Sequence, residues 1–272
     1  MSNSPVNMPE EEPAELPRPR RKGIYALPNL FTLAALFSGF YAIVMAMAGR
    51  YEQSVYGIFA AAVLDSLDGR VARMTNTQST FGEQMDSLSD MVSFGAAPAL
   101  IMYSWVLNSL GRWGWFAAFV YLAGAALRLA RFNTNIGVVD KRYFQGVPSP
   151  AAAALVISLM WACEDQGVVH DAMLAWTAFG FTLYAGLTMV TNAPFYSFKD
   201  FSIKRSVPFV TLVVIMVGIG LIALDPARVL FGLFCVYGLS GYVVYAIKKA
   251  KGRQVSVIAT STDEPDEQGL HR

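Results

Sequence analysis

Four aspartates in one short stretch are the side chains of this sequence best suited to chemistry. The stretch covers residues 65–90, with Asp65 and Asp90 at its ends and Asp68 and Asp86 inside it. The chain on both sides is strongly apolar. Ionised carboxylates are costly in apolar surroundings, and inside a membrane they usually mark a functional site. The stretch is therefore the leading candidate for a catalytic or metal-binding centre.

The spacing of the first residues in this stretch predicts one functional face of a helix. Asp65, Asp68, Gly69, Ala72 and Arg73 stand at positions i, i+3, i+4, i+7 and i+8. Residues at this spacing lie on the same side of an α-helix. The predicted face therefore combines two carboxylates with two small residues and one arginine.

A second acidic face is predicted after a polar turn. Gly82, Asp86 and Asp90 stand at i, i+4 and i+8, which again places them on one side of a helix. Residues 74–81 are rich in Thr, Ser, Asn and Gln and are predicted to reverse the chain, with Glu83 as a solvated loop residue. Two antiparallel helices would then bring their carboxylates together at the same end.

Converging carboxylates would repel one another strongly unless a counter-ion joined them. Ligation by oxygen alone suits Mg²⁺, Mn²⁺ or Ca²⁺, and the stretch holds no His or Cys that would favour zinc. Four carboxylates are enough for two ions. Gly69, Ala72 and Gly82 would let a ligand approach the helices, and Arg73 could pair with phosphate oxygens. The predicted ligand is a nucleoside diphosphate group, although charged helix ends with packing glycines are the structural alternative.

The elements that position these residues are predicted to be transmembrane helices. Hydrophobic residues make up 54% of the 272-residue chain and charged residues only 15%, which is too apolar for an ordinary soluble domain. A bilayer core needs about 20 apolar residues per helix. Eight segments are predicted to span it: Leu27–Ala48, Ser54–Arg73, Gln84–Asn108, Gly114–Phe132, Ser149–Ala162, Ala172–Val190, Val207–Leu224 and Val229–Ile247. The predicted fold class is an all-α, polytopic integral membrane protein.

The distribution of basic residues predicts the orientation. With eight spans, 18 of the 21 Lys and Arg residues fall on one side, which is expected to be the cytoplasmic side. Both termini and the acidic cluster would then face the cytoplasm from the cytoplasmic membrane. Residues 1–22 and 253–272 are polar and predicted to be disordered tails, and residues 23–252 form one membrane domain. Cys163 and Cys235 are predicted to be packing residues.

Residues 65–90 resemble the signature of the CDP-alcohol phosphotransferase family, D-x2-D-G-x2-A-R-x8-G-x3-D-x3-D. Every specified position is met, by Asp65, Asp68, Gly69, Ala72, Arg73, Gly82, Asp86 and Asp90. The resemblance implies a reaction in which an alcohol is joined to the phosphorus of a CDP-linked lipid and CMP is released. It also suggests a homodimer.

The same resemblance implies a role for each signature residue. Asp65, Asp68 and Asp86 would bind a pair of divalent ions, Mg²⁺ or Mn²⁺ and less typically Ca²⁺, with help from Asp90. Asp90 would also be the catalytic base that removes the proton of the alcohol. The residues expected to bind the CDP group are Asp65, Asp68, Gly69, Ala72, Arg73 and Gly82.

Segments outside the signature resemble the branch of this family that uses L-serine. They are LPNLFT (27–32), SFGAAPA (93–99), RLARFN (128–133) and YFQGVPSPAAA (143–153). This branch converts CDP-diacylglycerol and L-serine to phosphatidylserine and CMP at the lipid bilayer. Serine carries a carboxylate, and Arg128 and Arg131, three residues apart on one helix, could bind it. Alternatively they anchor the helix at the membrane surface.

Several alternatives remain open at this point. A sibling enzyme would use glycerol 3-phosphate, inositol phosphate or choline as the acceptor. An ion-coupled transporter would have its carboxylates near the bilayer midplane and repeated halves, and a membrane scaffold would not need Asp90. Asn29 and Thr32 are predicted to cap the first helix, with contact to the nucleotide as the alternative. No nucleic-acid partner is expected.

Overall fold

The structure is a computed structural model that describes residues 26–75, 77, 79–134, 143–196 and 209–250. The two predicted tails lie outside the described residues. Within them the chain is almost entirely helical, which confirms the all-α prediction, and a single small sheet is added to the helices.

Each of the eight predicted segments is helical over most of its described residues, and two of them include a turn residue, Ala48 or Val106. The helices are α1 (Ala26–Met47), α2 (Tyr51–Thr75), α3 (Thr80–Asp90), α4 (Ala97–Trp105), α5 (Arg112–Thr134), α6 (Ser149–Asp165), α7 (Ala172–Val190), α8 (Phe209–Leu224) and α9 (Pro226–Ala250). A π-helical segment, Met91–Ala96, joins α3 to α4. A short 3₁₀ turn, Leu107–Leu110, precedes α5.

Four of the described helices are long and apolar enough to cross a membrane. They are Pro28–Met47 within α1, Arg112–Thr134, Ala172–Val190 and Pro226–Ala250, while the apolar helix Thr211–Leu224 is shorter. Helix α2 has 25 residues, but its second half carries the charged residues of the candidate site. Helix α6 is apolar but has only 17 residues. The structure is thus that of a membrane-type helical protein. Among the described residues, four of the eight predicted spans coincide with helices of membrane length.

The core surrounds α6, which is buried along most of its length between α2, α7 and α9. Helices α1 and α2 lie side by side, and a Cβ at Gly57 would come within 2.9 Å of the Ala42 side chain. Large apolar side chains are exposed on the outside, including Met216 and Ile219 of α8 and Val236 of α9. A buried core with an apolar exterior is typical of a protein whose surroundings are lipid.

A two-stranded antiparallel sheet joins the loops that follow α5 and α7. Strand β1 (Tyr143–Gln145) pairs with β2 (Pro194–Tyr196), and Phe144 lies opposite Phe195. Gly146, directly after β1, has a φ of +73°, and its N–H donates to the Ala193 carbonyl at 3.0 Å. The sheet therefore fixes the chain immediately before α6 begins.

Candidate active site

The acidic helices α2 and α3 are joined by a short capped connection. The Thr77 N–H donates to the Ala72 carbonyl (3.0 Å) at the end of α2. The Ser79 hydroxyl then accepts from the Gly82 N–H (3.1 Å) and starts α3 at Thr80. The predicted polar turn is therefore correct but too long, because the serine cap begins the helix early. Glu83, predicted to lie in the loop, is an exposed residue in the first turn of α3.

Three of the four aspartates converge between these helices. One carboxylate oxygen from each of Asp65, Asp68 and Asp86 lies within 4.8 Å of the other two. Asp90 is adjacent, since its carboxyl group interacts with that of Asp65. The convergence predicted from helical spacing is thus present for three of the four aspartates.

The charge and bonding of the cluster fit a divalent cation. Asp86 Oδ1 and Asp90 Oδ1 are fully buried and have no hydrogen-bond partner. The ion pairs found among the described residues lie elsewhere, at Glu164 and Asp225. Buried carboxylates without a partner are unstable in apolar surroundings. A hard cation bound by oxygen ligands would satisfy them.

The two glycines of the signature have different surroundings, one open and one crowded. A Cβ at Gly69 would have no heavy atom within 4 Å, so the surface of α2 is open there. At Gly82 a Cβ would lie 3.2 Å from Ser79 Oγ and 3.3 Å from Asn29 Oδ1. Arg73 is exposed, and its Nε donates to the Gly69 carbonyl at 2.9 Å. Its guanidinium therefore lies along α2 next to the open surface.

Helix α1 closes one side of the cluster. The Thr32 hydroxyl donates to Asp68 Oδ2 at 2.8 Å, and the Thr32 carbonyl accepts from the Ser89 hydroxyl at 3.2 Å. Asn29 and Thr32 both lie inside α1, Ala26–Met47, and not at its first residue. The prediction that they cap this helix is therefore wrong.

The π-helical segment directly follows Asp90 and was not predicted from the sequence. Its wider turn is held by two neighbouring helices: the Ser93 hydroxyl donates to the Ala35 carbonyl (3.2 Å), and the buried Tyr121 hydroxyl donates to the Phe94 carbonyl (3.0 Å). Segments of this type often occur at functional sites. The segment contains small residues such as Gly95 and Ala96, but small residues in a sequence do not by themselves indicate a π-helix.

Arg128 lies next to the acidic cluster. Its guanidinium NH1 donates to the Ser149 hydroxyl at 2.8 Å, and its Nε is buried without a partner. Arg128 is also close enough to Asp90 for the two charges to interact. Ser149 is the first residue of α6, and a helix N-terminus favours a negative charge nearby. An anion bound here would contact a cation with unused hydrogen-bonding capacity.

Arg131 has different surroundings, although it lies on the same helix. Its guanidinium contacts oxygens from the end of α7, the residues that follow and the end of β1. These are Gln145 O (3.0 Å), Val190 O (3.1 Å), Asn192 Oδ1 (3.1 Å), Met189 O (3.2 Å) and Thr191 O (3.4 Å). Arg131 therefore ties α5, α7 and β1 together, a role that the sequence did not reveal.

Residues outside the cluster that could also do chemistry lie at the other end of α6. Glu164 Oε1 accepts from Trp105 Nε1 (2.6 Å) and contacts His170 Nε2 (2.8 Å). Cys163 precedes Glu164 on α6, Cys235 lies on α9, and both are free and partly buried. None of these residues belongs to the acidic cluster.

A comparison with protein-family models places the site in a known class. The chain belongs to the CDP-alcohol phosphatidyltransferase family, whose model matches residues 25–184. The match covers the whole signature and both Arg128 and Arg131.

Three individual relatives of this chain share one name. A protein of Helicobacter pylori named CDP-diacylglycerol–serine O-phosphatidyltransferase is 35% identical over 83% of this chain and 94% of its own length. Proteins with the same name occur in Methanocaldococcus jannaschii, 30% identical over 81% of this chain and 96% of the relative, and in Saccharomyces cerevisiae, 35% identical over 53% and 56%.

Proposed function

We propose that this protein is an integral membrane enzyme of phospholipid biosynthesis that transfers the phosphatidyl group of CDP-diacylglycerol to L-serine. The products are phosphatidylserine and CMP. Family membership and the names of relatives that match nearly their whole length support this function. The observation that carries it is the convergence of Asp65, Asp68 and Asp86. Asp90 is close enough to interact with Asp65 and with Arg128.

Asp90 is assigned as the base. The serine hydroxyl oxygen attacks the phosphorus that carries diacylglycerol, and a new P–O bond forms as the P–O bond to CMP breaks. The hydroxyl proton passes to the carboxylate of Asp90, which has a buried oxygen without a partner. A serine hydroxyl is too weak a nucleophile to attack unaided, and a positioned carboxylate typically contributes about 10²–10⁴-fold to such a step.

Asp65, Asp68 and Asp86, with help from Asp90, are assigned as ligands of two divalent ions, Mg²⁺ or Mn²⁺ and alternatively Ca²⁺. When bound, such ions neutralise a diphosphate and stabilise the leaving group. The carboxylates hold the ligand positions from two helices, so their separation depends on how α2 and α3 pack against α1.

The CDP group is assigned to the open surface of α2 and the start of α3. Gly69 leaves room for the nucleotide against the backbone of α2, and Ala72 and Gly82 are the other small residues assigned to this surface. Arg73 is exposed beside Gly69 and would pair with phosphate oxygens. Asp65 and Asp68 border the same surface.

The serine carboxylate is assigned to Arg128. Its Nε is buried without a partner, its NH1 donates to Ser149 at the start of α6, and its charge interacts with that of Asp90. Arg128 and Asp90 could therefore hold the carboxylate and the hydroxyl of one serine. Arg131, the second residue predicted for this role, already contacts five oxygens. We assign it to support of the pocket instead of direct binding.

We further propose eight spans, with both termini and the active site facing the cytoplasm. The 18-to-3 distribution of basic residues supports this orientation. A membrane domain over residues 23–252, tails at both ends and a homodimer complete the proposal. Labelling of single introduced cysteines from outside intact cells tests the orientation, and light scattering of the purified protein tests the dimer.

An acceptor screen tests the function. Purified protein receives CDP-diacylglycerol, Mn²⁺ and one acceptor: serine, glycerol 3-phosphate, inositol phosphate or choline. CMP release is expected with serine and not with the other three acceptors. CMP release with one of those three would show that the protein is a sibling enzyme that uses that acceptor. For substitutions of Asp86 or Asp90, Glu83→Gln is the matched control. It removes an exposed carboxylate from the same helix without touching the cluster.

A further inference from the structure

One contact to the acidic cluster comes from outside the signature. The Thr32 hydroxyl lies 2.8 Å from Asp68 Oδ2 and 3.2 Å from the Pro28 carbonyl oxygen. A hydroxyl has one proton to donate, and a charged acceptor at the shorter distance forms the stronger bond. Thr32 therefore donates to Asp68. Both side chains are almost fully buried, at 3% and 6% exposure, so water competes little for this bond.

Thr32 is itself fixed to the helix that carries the other aspartates. Its carbonyl accepts from the hydroxyl of Ser89, which lies between Asp86 and Asp90. One turn further along α1, the Ala35 carbonyl accepts from Ser93. The residue that holds Asp68 on α2 is thus bonded through its backbone to α3.

This arrangement couples the two acidic helices. Helices α2 and α3 both pack against α1, and the cluster forms where their side chains meet beside it. A carboxylate rotates freely about its terminal bond unless a donor holds one of its oxygens. Because Thr32 holds Oδ2 of Asp68, the direction of the second carboxylate oxygen of Asp68 is also fixed.

We propose that Thr32 is a positioning residue of the metal centre, and that its hydroxyl holds Asp68 in the orientation in which it shares a cation with Asp65 and Asp86. This inference rests on the proposed function. Loss of the groups that orient metal ligands typically weakens metal binding by about 10–100-fold. The effect should appear mainly in metal affinity, and the metal-free protein should still fold.

The test compares Mn²⁺ binding by the purified full-length protein and three variants, measured from the electron paramagnetic resonance signal of free Mn²⁺. Thr32→Val keeps the shape and removes the hydroxyl, and its dissociation constant is expected to rise about tenfold or more. Thr32→Ser keeps a hydroxyl donor, and its dissociation constant for Mn²⁺ should stay within about threefold of the wild-type value. Ser38→Ala, the matched control, removes a hydroxyl from the same helix that bonds only to the Ala34 carbonyl.

A second readout separates positioning from structural support. The Mn²⁺ concentration for half-maximal CMP release should rise with the dissociation constant in Thr32→Val. The melting temperature of the metal-free protein should fall by no more than about 4 °C, the effect of one lost hydrogen bond. Wild-type affinity in Thr32→Val, equal loss in Thr32→Ser, or an unfolded metal-free Thr32→Val protein would each overturn the inference. A wild-type protein that binds no Mn²⁺ and releases no CMP would instead overturn the proposed function.

Discussion

The division of roles between Arg128 and Arg131 gives a quantitative prediction. Substitution of either residue by Met removes the guanidinium and keeps most of the apolar stem. In Arg131→Met, four terminal N–H groups lose five oxygen acceptors in three segments of the chain. In Arg128→Met, one bond to Ser149 is lost, together with a buried Nε that had no partner.

The expected magnitudes follow from these contacts. A net contribution of about 1 kcal/mol per hydrogen bond, reduced because Arg131 is partly exposed, gives about 3 kcal/mol for Arg131→Met. For a chain of this size that corresponds to a fall in Tm of about 6–12 °C. Arg128→Met should lower Tm by less than about 3 °C. Its loss of a charged bond to the serine carboxylate should raise the KM for serine by about 10–100-fold.

Two assays on the same samples decide the matter. Melting followed by tryptophan fluorescence gives Tm, and CMP release against serine concentration gives KM. Arg70→Met is the matched control, because Arg70 is an exposed arginine of α2 outside the signature pattern. An Arg131→Met protein with unchanged Tm and a selectively raised KM for serine would refute the reasoning and make Arg131 a substrate ligand.

Three further predictions concern the acidic cluster and its surroundings. Asp90→Asn should fold with the wild-type Tm but lose about 10²–10⁴-fold in kcat, measured by CMP release, and activity above a tenth of wild type would remove Asp90 as the base. Gly69→Ala adds a methyl group to open space on a helix, so it should raise Tm slightly while raising the KM for CDP-diacylglycerol; an unchanged KM would place the nucleotide elsewhere. Treatment with EDTA should abolish CMP release, and Mg²⁺ or Mn²⁺ should restore it better than Zn²⁺, since the cluster offers only carboxylate oxygens; full activity in EDTA would contradict the metal assignment.

The helices and the acidic cluster could be predicted because their signals are local. Apolar segments of about 20 residues indicate spans, and a spacing of three or four residues places Asp65 beside Asp68 and Asp86 beside Asp90 on helical faces. The polar residues between the two helices predicted the reversal that brings these faces together. No long-range information was needed for this part of the site.

The features that the sequence did not reveal depend on contacts between distant residues. Thr32 meets Asp68 across 36 positions, and Arg131 meets Val190 across 59. Strands of three residues, such as Tyr143–Gln145, are too short for an alternating pattern to be recognised. Arg128 and Arg131 look equivalent in sequence. Only the structure shows that Arg128 meets Ser149 at the start of α6 and that Arg131 meets the end of α7 and β1.

The central claim is that carboxylates from α2 and α3 share divalent cations, and anomalous diffraction from crystals soaked in Mn²⁺ tests it most directly. A peak is expected at bonding distance, about 2.2 Å, from oxygens of Asp65, Asp68 and Asp86. Anomalous peaks for Mn²⁺ at other places, and none near these three side chains, would contradict the claim.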